Sequence, residues 1–413
     1  MERKMGEPSL KRAVTLPYLI FYGAGNIIGA GIYVLIGKIA QISGNYAPFS
    51  FILACFAVLF TALCYAELAA RYPYASAEAY YLKHAFSLPN ISTLVGFIII
   101  LTGILSSSAI ISGFYGYLRP IVDIGEFLTL FLTLLFLTGI AIWGVKESVT
   151  LTALFTLIEI FGLVLIIFYG FSSIDMANVA IERYIPPLKI DIWIQIALGS
   201  FLAFYAFIGF EDIVKLSEEV VDVQKTMPKA IIITLFLVTV LYILIAFVSV
   251  TAIDPQTLGK SDAPLDEVFK KLTGGESHLL GIIALFAIIN GVLVQIIMVS
   301  RMLYGLAKQK NLPQFLATIH PRTRTPLYAT IITGLFILLF AYFIDLVKLA
   351  ELTSYGLFIV FILINMALIK IKRQEPYFKG FKVPISIPFI ALFINVLLLC
   401  IKLFSDLYGF GSQ

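Results

Sequence analysis

Apolar residues recur along this chain in continuous runs of about twenty, separated by short polar segments that hold most of the charge. A run of that length lets an α-helix cross the hydrocarbon core of a bilayer. Such runs predict helices over 14–40, 48–70, 92–117, 127–145, 149–172, 192–215, 229–252, 279–306, 326–344, 348–369 and 385–404. The runs are continuous rather than alternating, which excludes a transmembrane β-barrel. The segment around 71–90, RYPYASAEAYYLKHAFSLPN, is too polar to span and is predicted to lie along the inner membrane surface. The loop at about 253–278 carries Asp254, Pro255 and Pro264 and has room for one short external helix. No loop is long enough for a separate soluble domain, so residues 1–413 read as one transmembrane domain.

Composition agrees. Hydrophobic residues make up 60% of the chain and charged ones 13%, against about a quarter charged in a soluble domain. The expected class is an all-α polytopic membrane protein with about eleven transmembrane helices. The first run is longer than the core of a cleaved signal peptide. Cys55, Cys64 and Cys400 all fall in predicted spans. Cys55 and Cys64, on one helix, are about 13 Å apart and too far for a disulfide.

The placement of charge sets the orientation. With the N-terminus in the cytoplasm, 20 of the 29 Lys and Arg residues fall in cytoplasmic segments, Arg71, Lys215, Arg301 and Lys372 among them. Lys38, Arg119, Lys270 and Lys402 are among those on the other side. That asymmetry follows the positive-inside rule. It predicts a multi-pass protein of the cell membrane with a cytoplasmic N-terminus and, after eleven spans, an extracytoplasmic C-terminus.

One stretch of the first run, GNIIGAGIY (Gly25 to Tyr33), is rich in the residue that most weakens a helix. Glycines four apart, such as Gly25 and Gly29, can let two helices pack closely. Alternatively the helix is broken there, which membrane depth tolerates only where backbone lines a cavity or is buried in protein. Gly29-Ala30-Gly31 lies near the middle of the first run. A second candidate break, around Tyr205 to Gly209 in FLAFYAFIGFED, lies near the middle of the sixth. These runs open two five-helix halves, 14–172 and 192–369, followed by an extra helix at 385–404. Matching breaks in opposed halves point to a binding site at the bilayer midplane and to a LeuT-like five-plus-five inverted repeat.

These motifs resemble the amino acid–polyamine–organocation transporters. GNIIGAGIY is similar to their first-helix motif, and FYAFIGFEDIVKLSEEVVDVQKTMPKAI to their sixth helix and the loop after it. SRMLYGLAKQKNLP resembles the end of their eighth helix; AELAARYP and SDAPLDEVFKKLTG are further matches. Two features depart from the pattern: most members have twelve spans, and PYASAEAYY replaces the more usual PxSGGxY. The resemblance implies a secondary transporter. Amides of Gly29, Ala30 and Gly31 would hold a substrate carboxylate, and carbonyls of Ile27, Tyr205 and Ile208 its amino group, with Gly209 in the same break. Tyr205 stands where members often place an aromatic that covers the substrate.

Other polar residues complete the expected site. Ser107, in TGILSSS, and Asn290 are uncharged, so nothing obvious waits to neutralise a charged side chain. Neutral L-amino acids are therefore the expected substrate, with cationic amino acids or polyamines as the alternative. Glu159 lies mid-span, where a carboxylate is costly unless it faces the bundle interior. It is a candidate for proton coupling, and Glu211 for an inner gate or proton path. Asp212 and Glu67 are expected at the solvated inner ends of their spans. FAIINGVL offers Asn290 but no hydroxyl, which makes sodium the less favoured ion.

His84, His278 and His320 lie in loops or at span ends, and no HExxH or GxSxG motif occurs. An enzyme is not expected, nor a cofactor, bound metal or nucleic-acid partner. The partners implied are a small amino acid, the lipid bilayer and protons. A channel and a non-transporting amino acid sensor are the rival functions.

Overall fold

In a computed structural model, the structure describes residues 14–74, 77–86, 89–143, 145–173, 180–217, 219–275, 278–308, 310–323 and 325–408, with backbone course alone at 30, 89–92 and 145–153. Its α-helices in chain order are α1 (Leu16–Ser43), α2 (Ala47–Arg71), α3 (Ala77–Phe86), α4 (Pro89–Leu118) and α5 (Glu126–Trp143). Next come α6 (Val145–Ser173), α7 (Ile190–Tyr205), α8 (Phe210–Ile213), α9 (Val223–Ala252) and α10 (Pro255–Leu258). The last are α11 (Pro264–Thr273), α12 (Leu279–Lys308), α13 (Leu327–Phe343), α14 (Leu346–Gln374) and α15 (Ser386–Tyr408). Among the described residues, 9 helical stretches are long and apolar enough to cross a membrane, beside the shorter apolar helices Leu16–Gly29 and Leu327–Phe343.

Each predicted run falls on helix, and the sixth is divided between α7 and α8. The polar stretch after α2, expected along the inner surface, instead holds the short helix α3, which buries Ala77, Glu78, Tyr81, Leu82 and Ala85 against α4 and α14. The loop after α9 holds two helices rather than one. Pro255 and Pro264 each sit in the first turn of one, where a missing N–H costs nothing. The Asp254 carboxylate accepts the N–H groups of Gln256 and Thr257 at 3.0 and 3.2 Å, capping α10.

Outward faces are apolar. Leu154, Leu157, Phe161, Val164, Phe168 and Phe171 form an exposed stripe three or four residues apart along α6. In a bilayer such a stripe meets lipid, whereas in water it would be an aggregation surface. Inside the bundle α2 packs along α9, α4 along α12 and α1 on α7. Around them α1 touches α9 and α6, while α7 touches α2 and α14; α4 touches α14 and α13, while α12 touches α6 and α5.

One end of the bundle, rich in Lys and Arg, is tied by charge. Glu67, expected at a solvated boundary, is fully buried. Its carboxylate faces Arg71 at 2.8 Å and Lys372 at 2.7 Å and accepts the Val383 N–H at 2.8 Å. These contacts join α2 to α14 and to the segment before α15. Beside them Glu375 accepts the Tyr72 hydroxyl at 2.6 Å and lies 2.8 Å from His84 of α3. The Tyr72 bond, with His84 assisting, holds the Glu375 carboxyl below its ordinary range.

Glu67→Ala leaves two cations facing each other without their counterion, and is expected to cost about 3 kcal/mol. The check is thermal unfolding of detergent-purified protein. An unchanged Tm would remove the Glu67 cluster from the forces holding this end together.

Candidate functional site

The first helix does break. Within α1 the residue with non-helical torsions is Gly29, at φ 10° and ψ −156°. The second break follows Tyr205, where α7 ends. The N–H groups of Ala206, Phe207 and Ile208 bond three residues back, to Ala203, Phe204 and Tyr205, at 3.0, 3.0 and 3.2 Å. This tightened turn ends at Gly209, whose φ of 119° is open to glycine and strained for other residues. Chain direction resumes with α8.

The breaks touch each other. A Cβ placed on Gly209 would lie 2.6 Å from the Asn26 carbonyl oxygen, and one on Gly31 would lie 2.9 Å from Ala206 Cα. Both distances are shorter than packing allows, so bare backbone is required at each position. Gly25 packs against Thr156 of α6, whereas among the described residues beyond its own stretch of helix none stands within 4 Å of a Cβ on Gly29. The two readings of the glycine stretch therefore apply to different residues: packing at Gly25 and Gly31, interruption at Gly29.

Tyr242 of α9 bridges the breaks. Its hydroxyl lies 2.8 Å from the Ile27 carbonyl oxygen and 2.9 Å from that of Ala206, so one proton serves an acceptor from each break. The ring is held edge-on by Phe51 and Phe207. A tyrosine inside an apolar run reads as an interfacial or core aromatic, which is why it escaped the sequence reading.

A small cavity, of about 30 Å³, lies between the breaks. Ile27, Gly29 and Gly31 form one wall and Tyr205 and Ile208 another, with Ser106 and Ile110 of α4 and Asn290 and Gln295 of α12 opposite. Ser107 is not in this wall. Its hydroxyl donates to the Gly103 carbonyl at 2.8 Å, one turn back on its own helix. The neighbouring Ser106 takes the place expected for it, with its Oγ 3.1 Å from the Tyr205 hydroxyl. The Tyr205 hydroxyl itself donates to the Ser106 carbonyl at 2.8 Å. Gly209 lies behind the wall, against Asn26. The side chain of Ala30 falls outside the described residues.

Glu159 stands behind Asn290, fully buried. Its Oε1 accepts the Asn290 side-chain amide at 2.9 Å, and its backbone carbonyl accepts the Tyr33 hydroxyl at 2.7 Å. Oε2 makes no hydrogen bond among the described residues. Asn290 thus touches both the cavity and the mid-membrane acid.

A second small cavity, of about 30 Å³, continues toward the basic end and shares Ser106, Ile208, Asp212 and Gln295 with the first. Glu78, Glu211, Asp212 and Lys215 stand in its walls. Asp212, expected in water, is buried and paired with Lys215 at 2.6 Å. Glu211 accepts the Gly209 N–H at 2.9 Å, closing the turn that forms the second break. At the opposite end the way is covered: the Lys38 ammonium donates to the Gly259 carbonyl at 2.5 Å. A Cβ on Gly37 would meet the Leu258 carbonyl oxygen at 2.5 Å.

Comparison with known proteins gives the family. The family model described as amino acid permease matches residues 15–406. The chain is 28% identical to cationic amino acid transporter 3, mitochondrial, of Arabidopsis thaliana, over 89% of this chain and 63% of that protein. It is 28% identical to the branched-chain amino acid permease of Bacillus subtilis, over 92% of this chain and 85% of that one. A methylthioribose transporter of Bacillus subtilis is 29% identical, over 91% and 85%. The chain therefore spans somewhat under two thirds of the plant relative's length.

Gly209→Ala and Gly31→Ala should each force the breaks apart and destabilise the protein by at least about 1 kcal/mol. Gly139→Ala, where an added Cβ meets no described residue beyond its own stretch of helix within 4 Å, is the control and should leave the Tm unchanged or raised. Equal melting of all three would deny that the breaks depend on bare backbone.

Proposed function

The chain belongs to the amino acid permease family, and on that footing we propose that it carries L-amino acids across the membrane by alternating access. One observation carries the reading: two interrupted helices face each other across a cavity inside the bundle. An amino acid presents a carboxylate and an ammonium group at one carbon. Broken helices offer amides to the first and carbonyls to the second without burying a fixed charge. On this reading the amides of Gly29, Ala30 and Gly31 receive the carboxylate. The carbonyls of Tyr205 and Ile208 receive the ammonium group, joined by the second lone pair of the Ile27 carbonyl beside Tyr242.

The helix packing supports an inverted repeat of the LeuT-like kind. Exchanging α1, α2, α4, α5 and α6 for α7, α9, α12, α13 and α14 turns the α1–α9 contact into α7–α2 and α4–α14 into α12–α6. It likewise turns α4–α13 into α12–α5 and α1–α6 into α7–α14. A chance arrangement of helices would not map onto itself in this way. The charge asymmetry supports an orientation with the basic end and the N-terminus in the cytoplasm and the C-terminus on the other side, in a protein we read as one of the cell membrane. The second cavity then lies on the cytoplasmic side of the site.

Glu159 is the proposed proton site. It is the carboxyl that meets the substrate cavity through a shared side chain, Asn290, so substrate binding and the Glu159 proton act on the same amide. Glu211, which closes the second break, gates rather than carries.

The test is counterflow in proteoliposomes preloaded with a mixture of L-amino acids, with each labelled amino acid outside in turn. Saturable accumulation of one chemical group is expected, and its absence from folded protein would refute the carrier. Glu159→Gln should retain counterflow and lose the dependence on pH. A pH response identical to wild type would make Glu159 a structural acid.

A further inference from the structure

The end of the bundle that Glu67 fastens carries more positive charge than its acids pair. Arg71 and Lys372 belong to Glu67, and Lys215 to Asp212. Four cations remain together where α14 leads into α15. Lys370 and Arg373 lie in the last turns of α14, and Lys379 and Lys382 in the segment after it. Among the described residues none of the four has an ion pair. Lys370 lies over the Phe86 ring of α3, at 5.1 Å. The carboxylate of that segment, Glu375, is taken by Tyr72 and His84.

The segment 375–385 is a strap pinned on its inward side. The Glu375 carbonyl accepts from Arg71 at 3.1 Å, and the Phe378 ring lies 4.7 Å from the Arg71 guanidinium. Val383 donates to Glu67 at 2.8 Å and accepts from Lys372 at 2.7 Å, which brings Lys382 back toward the end of α14 and the exposed Arg373. On the outward side stand Lys379, Lys382 and Tyr377, the last 98% exposed. Three residues past Lys382 comes Ile385, and α15 then exposes Phe389, Ile390 and Phe393, a face that meets lipid tails in a bilayer. The cations therefore stand where the headgroups begin, a level that also favours tyrosine. A pinned backbone presents them at little cost in ordering. Charge asymmetry orients a chain wherever along a loop its cations fall, and does not call for holding them on one fixed face. We propose that the strap is a headgroup site for an anionic phospholipid of the adjoining leaflet, whose phosphate is held by Arg373, Lys379 and Lys382. The inference stands apart from the carrier reading and requires only that α15 spans the membrane.

Phosphatidylglycerol and phosphatidylcholine share a phosphate and differ in net charge. Equilibrium binding of each labelled lipid is measured on the full chain purified in neutral detergent. Wild type should prefer phosphatidylglycerol about a hundredfold, roughly fivefold for each of the three cations. The preference should shrink as salt is raised. The triple variant Arg373→Gln/Lys379→Gln/Lys382→Gln should bind the two lipids alike and keep the lipid-free Tm, since none of these side chains makes an ion pair. Arg183→Gln/Lys189→Gln, which removes two exposed cations before α7, is the control and should keep the preference. Equal binding of the two lipids by wild type, an unchanged preference in the triple variant, or an equal loss in the control would overturn the site. So would displacement of the lipid by millimolar inorganic phosphate, which would make it a site for free anions. Loss of binding together with a lowered Tm would also overturn it, by making the cations part of what holds the strap.

Discussion

Backbone amides and carbonyls cannot turn to water inside a bilayer, and this constraint governs the rest of the molecule. Every unbroken helix satisfies it internally. Where α1 and α7 are interrupted the structure must supply partners from elsewhere, and it does so from several directions. The second break closes on itself through short-range turns. Glu211 takes the Gly209 amide, and Tyr242 supplies one hydroxyl to carbonyls of both breaks. The breaks can lie this close only because Gly31 and Gly209 have no side chains.

The same rule extends to charge. Polar and ionised groups inside the bundle occur as connected sets: Glu67 with Arg71 and Lys372, Asp212 with Lys215, Glu159 with Asn290. The first set lies away from the central cavity and fastens helices. The other two border it or reach it through one residue. Position relative to the cavity, more than burial or charge, separates the acids that hold the fold from those suited to ligands.

Much of this could be read from the chain before any coordinates. Bilayer thickness leaves so plain a mark on the sequence that each predicted run falls on helix. The helix breaks were legible too, because glycine in mid-membrane needs a reason. What escaped depends on rotation about a helix axis and on partners distant in sequence. Ser106 and Ser107 are equivalent in the sequence, and only the packing of α4 turns one toward the cavity and the other to Gly103. Asp212 and Glu67 sit near span ends, where water was the natural expectation; neighbouring helices cover both. Tyr242 was hidden by the apolar run around it. The loop after α9 divides because each of its two prolines starts a helix, and a single helix was the simpler reading.

The open space around Gly29 has a mechanical consequence. A segment that swings needs a pivot whose turning displaces nothing, and crowded joints resist rotation through every atom they push. Gly31 and Gly209 are crowded joints, pressed against Ala206 and Asn26. Gly29, two residues from one of them, has among the described residues beyond its own stretch of helix no neighbour within 4 Å of the place a side chain would take. Of the glycines in GNIIGAGIY for which such neighbours are known, it is the uncrowded one. Both halves of α1 are held to the second break, the first where Asn26 meets Gly209 and the second where Gly31 meets Ala206, so Gly29 is the open joint between two fastened arms.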